Sequence, residues 1–350
     1  MAVYTTIDDP EAYFQVKIYT GNGSTQTVTY DNTDADLDAD FVWIKERTAN
    51  DHELYDTVRG ATARIYSNTT AAADTNSTGL TGFATDTFTL GGAGGTNNNT
   101  DTYVAWCWKA NGSGSSNTDG GINTTSTSVS QTAGFSISKY TGGGANATVG
   151  HGLGAVPKVV IVKNLEATEH WVVYHEKNTS APETDYLLLA ESNATADGDT
   201  AWNDTAPTSS VFSVGTSPSV SGDTQALVAY CFAEKQGFSK FGSYTGNGSA
   251  DGTFVYTGFR PAWVMIKRTD QTENWYLFDN KRPGYNESNE YLLANTSDAA
   301  GTNREIDLLS NGFKPRENAT FANTSGGTYI YMAFAEAPFV NSNGVPCNAR

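Results

Sequence analysis

Short apolar runs separated by clusters of Gly, Asn, Asp, Ser and Thr follow one another along the whole chain. Runs such as FVWIK (Phe41–Lys45), VVIVK (Val159–Lys163) and YVAWCWK (Tyr103–Lys109) have strand length, are rich in β-branched and aromatic residues, and end at turn-forming residues. No helical period of apolar residues is sustained anywhere. The pattern predicts strands over Phe14–Thr20, Phe41–Glu46, Glu53–Thr57, Ala63–Tyr66, Thr87–Leu90 and Thr102–Lys109. A second set falls at Phe135–Tyr140, Lys158–Lys163, His170–His175, Tyr186–Ala190, Val211–Val214 and Gln225–Ala233. A third falls at Phe238–Tyr244, Ala262–Lys267, Asn274–Asp279, Glu290–Ala294, Ile306–Leu309 and Thr328–Ala335.

The three sets are copies of one unit. YTGNGS at Tyr19, YTGGG at Tyr140 and YTGNGS at Tyr244 each lead into an apolar strand ending in Lys45, Lys163 and Lys267. The step from Tyr to Lys is 26, 23 and 23 residues. The far ends match as well: YVAWCWK, LVAYCFA and YIYMAFA place Trp106, Tyr230 and Met332 at one equivalent position, 87, 90 and 88 residues after the opening Tyr. A repeat of about a hundred residues is domain-sized. The expected fold is therefore all-β, as three tandem β-sandwich domains of jelly-roll or lectin-like type. The boundaries read as an N-terminal arm (1–11), repeat one (12–110), a polar linker (111–133), repeat two (134–236), repeat three (237–336) and a C-terminal tail (337–350).

Composition narrows the functional classes. The chain has 350 residues, 38% of them hydrophobic, enough for real cores, but only 17% are charged, so its polar surface comes from Thr, Asn, Ser and Gly. A net charge of −17 argues against binding to nucleic acid phosphates. The start, MAVYTTIDDPEAYFQ, lacks the basic and apolar regions of a signal peptide, and no apolar run is long enough to span a membrane. Of the three cysteines, Cys107 and Cys231 fall inside closing strands where the third repeat has Ala333, the pattern of small buried residues; no disulfide framework is implied.

Motifs for catalysis are absent from the pattern. Gly150, Gly152 and Ala155 match a dinucleotide fingerprint, but Pro157 and KVVIV then open a strand where a helix is required. There is no G-x-S-x-G elbow, and the histidines lack metal-ligand spacing; no enzyme is expected and no cofactor, with calcium as the one open metal. Asp34, Asp36 and Asp38 alternate like the start of a calcium loop, yet counted from Asp34 the sixth position is Ala39 and the twelfth Lys45, which excludes an EF-hand. The ordinary reading of this run is a solvated turn. Trp202 and Asp204 in DTAWNDTAP, and Tyr285 in RPGYNESNE, combine an aromatic with amide and carboxylate groups as sugar sites do. The competing reading is a tryptophan folded back over a sandwich edge.

A resemblance adds a biological setting. The repeated YTGNGS, GFRPAWVMIKR (Gly258–Arg268), NWYLFDNKR (Asn274–Arg282), YLLAN (Tyr291–Asn295), LSNGFK (Leu309–Lys314) and YIYMAFAEAPF (Tyr329–Phe339) resemble repeat domains of virion proteins from tailed bacteriophages, especially marine ones. The resemblance covers nearly the whole chain and implies a non-enzymatic structural protein on the virion exterior, made in the host cytoplasm. It implies a compact tail-fibre or spike-like appendage or a capsid decoration protein, a homotrimer, with other virion proteins as partners and a host-surface glycan as a further ligand. The alternatives are a free carbohydrate-binding module or a glycan-active enzyme. Under this reading both chain ends are tethers, with Tyr13, Phe14, Pro338 and Phe339 as apolar anchors on a partner.

Overall fold

In the computed structural model, which describes residues 4–31, 37–284 and 286–347, nearly all regular structure is β. Each repeat builds a main antiparallel sheet in the same order. Its opening strand (Phe14–Thr20, Phe135–Thr141 or Ser239–Thr245) pairs with its closing strand (Thr102–Trp108, Ala226–Phe232 or Thr328–Pro338). The closing strand pairs in turn with the lysine strand (Phe41–Glu46, Val159–Asn164 or Phe259–Arg268), and that with a flanking strand (His52–Asp56, Val172–His175 or Trp275–Asp279). The register is shared too: Lys45 lies opposite Val104, Lys163 opposite Val228 and Lys267 opposite Ile330. The lysine strands that the repeat pattern aligned are thus equivalent in space.

Over each main sheet lies a small second sheet. It is Gln26–Thr29, Thr87–Leu90 and Leu80–Ala84 in repeat one, Ala147–Gly150 with Val211–Val214 in repeat two, and Val255–Tyr256, Gly312–Pro315 and Ile306–Leu309 in repeat three. One Val–Phe cross-strand pair recurs in all three: Val28 with Phe88, Val149 with Phe212, Val255 with Phe313. The two layers enclose a core inside each repeat, where Val42 and Ile44, or Val160 and Val162, point.

The other face of each main sheet turns toward the other two repeats. Phe41 and Trp43, Val159 and Ile161, and Trp263 and Met265 all enter one common cluster. Aromatic rings bridge the repeats there, with Phe41 against Tyr230 at 4.6 Å, Phe14 against Phe334 at 5.1 Å and Trp108 against Trp263 at 5.7 Å. Because these strands are buried on both faces, they read as unbroken apolar runs and not as alternating ones. The three sandwiches are therefore not beads on a string: repeats one and two each keep an inner core of their own, that of repeat three (Val264, Ile266, Phe313) runs on into the shared one, and all three meet there.

Three other segments differ from expectation. The linker is folded, with Ser126–Ser130 forming an edge strand on Phe135–Lys139 and Ser115 bridging to Thr127. Its polar residues suit an edge strand that has one wet side, which is why composition alone suggested a tether. The N-terminal arm packs on its own third repeat and on the tail: Tyr4 donates to the Gly258 carbonyl at 2.8 Å, Ile7 is 2% exposed, and the Asp8 carboxylate accepts from the Ser342 backbone N–H at 2.6 Å. The tail also folds locally, the Cys347 N–H donating to the Phe339 carbonyl.

Candidate functional site

The densest buried chemistry lies where repeats meet. Lys163 Nζ donates to the carbonyls of Thr70 (3.1 Å) in repeat one and of Glu169 (3.0 Å) in its own repeat. Lys267 Nζ reaches Ser192 (3.4 Å) in repeat two and Arg268 (2.6 Å). Lys45 Nζ closes the circle, reaching Ser297 (3.4 Å) in repeat three together with Glu46 and Ala49. Burial pulls all three ammonium groups down to about 8. Two residues beyond each lysine, the carbonyls of Arg47, Leu165 and Thr269 accept the backbone N–H of Ala300, Ala73 and Thr195. The same seam thus occurs three times, each repeat holding the preceding one and the first holding the third.

A side-chain donor reinforces every seam. Trp171 Nε1 donates to the Tyr66 carbonyl at 2.9 Å and Trp275 Nε1 to the Leu188 carbonyl at 3.0 Å. In repeat one His52 does this work. Its Nδ1 accepts from Trp43 Nε1 at 2.8 Å, which leaves Nε2 as the protonated nitrogen facing the Leu293 carbonyl at 2.9 Å.

Deeper in, the last residue of each flanking strand faces the neighbouring closing strand. Asp56 takes the Tyr230 hydroxyl at 2.6 Å and pairs with Arg59 at 2.5 Å. Asp279 takes Trp106 Nε1 at 3.1 Å and pairs with Arg282 at 2.7 Å. In repeat two the neighbouring residue at this level is Met332, which has no donor, and His175 stands in the aspartate position with Asn178 in the arginine position. Its Nδ1 accepts from the Lys177 N–H, so Nε2 faces the Tyr331 carbonyl at 3.2 Å; burial pulls its pKa down to about 4. Acid, base and aromatic donor change together.

The void at the centre of the shared core is about 20 Å³, far below the several hundred Å³ of ligand pockets. A larger cleft of about 400 Å³ runs past Asp38, Asp40, Phe83 and Lys109. Its buried acid is already occupied: the Asp40 carboxylate accepts from Ala110 N–H (2.7 Å), Gly112 N–H (2.8 Å) and the Thr57 hydroxyl (3.0 Å).

The residues singled out from sequence do not converge. Trp202 ends the short helix Asp199–Trp202 with 2% exposure and its ring edge-on to Tyr174 at 6.0 Å, so it is a core residue and offers no sugar-stacking face. Asp204 is exposed in the turn after it. Tyr285, Asp34 and Asp36 lie outside the described residues, and Asp38 pairs with Lys109 at 3.4 Å. Among the described residues no three His, Cys, Asp or Glu side chains are grouped to hold a metal ion. The expected anchors are used internally. Phe14 is 1% exposed in the shared core, Tyr13 packs on Phe238, Pro338 pairs with Phe259 in the sheet, and the Phe339 N–H donates to the Gly258 carbonyl. Missing from the sequence reading were the seam loops at Thr70, Ser192 and Ser297. In each of them the acceptor carbonyl precedes the paired N–H donor by three residues, a regularity that only the contacts reveal.

Residues 9–338 match the domain of unknown function DUF7483, and the chain belongs to that family. A comparison with curated proteins finds no match. Among the described residues no helix is long and apolar enough to cross a membrane.

Proposed function

We propose that this chain is a non-enzymatic structural protein on the surface of a tailed-phage virion, a compact appendage or decoration subunit. The observation that carries the reading is the fate of its buried polar groups. Lys45, Lys163 and Lys267, the Asp56–Arg59 and Asp279–Arg282 pairs, and His52 and His175 are buried ionisable groups where the repeats meet, and each is engaged in a contact from one repeat to another. Such an arrangement resists separation of the repeats and leaves the outer faces to meet partners. The sequence resemblance to phage repeat-domain proteins supplies the setting. Copies associate as a homotrimer through those outer faces, since the inward faces are filled. Mass spectrometry of purified virions, with antibody labelling to locate the chain, tests the reading; it expects a fixed copy number per particle, and absence from particles would overturn it.

A free carbohydrate-binding module is the second reading, favoured by two exposed aromatic residues, Phe254 and Tyr256.

A further inference from the structure

The three small sheets are copies of one element, and the Val–Phe pairs fix which positions correspond. On either side of the buried valine, repeat one carries Thr27 and Thr29, repeat two Thr148 and Gly150, and repeat three Phe254 and Tyr256. In repeat two this edge is covered, the Ile122 and Gly121 N–H groups donating to Thr148. In repeat one the two threonines are exposed. Only in repeat three does the position present aromatic rings, and they are 45% and 53% exposed.

The two side chains flank buried Val255, so they leave the same outward face, about 7 Å apart by the rise of a strand. Gly312 lies directly opposite Tyr256; a Cβ there would run into the Val255 carbonyl oxygen and meet the Phe254 ring at 3.0 Å, so the glycine serves the close approach of the two strands first and also leaves room beside that ring. Tyr4, held by its bond to Gly258, brings its hydroxyl to 3.3 Å from that of Tyr256. The rim is polar: Lys314 and Arg316 pair with Asp251, whose side chain remains 78% exposed, and Arg316 also meets Asp307.

We infer that this face of repeat three binds the flat face of a neutral, β-linked polysaccharide. Pyranose rings with equatorial substituents present C–H groups that pack on aromatic faces, while their hydroxyls find acceptors and donors in a rim of carboxylates and cations. Size argues against a protein occupant. Two half-exposed rings offer roughly 200 Å², against about 800 Å² per partner in a standard protein interface. Charge argues for a neutral chain, because a protein of net charge −17 repels polyanions. The inference does not depend on the chain being carried by a virion.

Electrophoresis of the full chain through native gels containing hydroxyethylcellulose or barley β-glucan tests it. The wild type is expected to be retarded by at least one of them, and the double variant Phe254→Thr/Tyr256→Thr to bind at least tenfold more weakly. Both substitutions restore what repeat one carries at an exposed site, so the thermal midpoint should not move. Unretarded wild type in both gels, or equal retardation of the variant, would overturn the proposal. So would light scattering that shows a dimer lost on the double substitution, which would assign the face to a second copy.

Discussion

The Tyr230 hydroxyl of repeat two donates to the Asp56 carboxylate of repeat one at 2.6 Å, with both groups out of contact with water. Asp56 also holds Arg59, whose guanidinium reaches back to the Leu54 carbonyl, so one phenol sits at the end of a fully buried charge network. Removing only the hydroxyl in Tyr230→Phe should cost about 2 kcal/mol, the worth of a hydrogen bond to a charged group. Asp56→Ala should cost about 3–5 kcal/mol, because it strands a buried guanidinium. Urea denaturation of the two variants checks the order; equal small losses would mean that water reaches the network.

Repeat two allows a stricter test. Replacing His175 by Asp restores the residue of the other repeats but not its partners, since Asn178 offers no guanidinium and Met332 no donor. His175→Asp alone should therefore destabilise by about 3–5 kcal/mol. Adding Asn178→Arg and Met332→Tyr should recover at least half of that loss. If the triple variant is no more stable than the single one, the three positions are not coupled in the manner described.

His175 also sets an acid limit. Its folded-state pKa of about 4 lies below the ordinary value near 6.5, so the unfolded chain binds the proton more tightly and stability falls as pH drops from 6.5 toward 4. For this one residue the loss between pH 7 and pH 5 is on the order of 2 kcal/mol. His52 and His151, pulled down by the same burial, act in the same direction. Buried Asp40 and Glu53, whose carboxyls are raised, oppose it nearer their own titration range. Thermal melts of wild type and His175→Gln across that range should show the smaller slope in the variant.

Much of the fold was legible because the repeat could be aligned with itself. Strands such as Phe14–Thr20, Phe41–Glu46, Val211–Val214 and Ile306–Leu309 have the bounds that the apolar runs and their Gly and Asn borders indicate. The sharing of a core was not legible. An apolar run buried on two faces looks the same whether the second face meets a sheet of its own repeat or of another. Tyr13 and Phe14 illustrate the difficulty: apolar residues next to a polar lead suggest anchors for a partner, and the partner is the chain itself. Trp202 was misleading for a related reason, since polar neighbours in sequence do not prevent a side chain from turning into a core. The sugar-facing candidates, Phe254 and Tyr256, could have been found by asking which repeat differs at a shared outward position.

Three sandwiches joined into one ring by three like seams and a common core should melt as one unit, and differential scanning calorimetry measures whether they do. A single transition whose calorimetric enthalpy equals the van't Hoff enthalpy is predicted, because no repeat can leave without exposing the inner faces of the other two. Three resolved transitions, or a calorimetric enthalpy about three times the van't Hoff value, would show repeats that unfold independently, with no ring and no shared core holding them together.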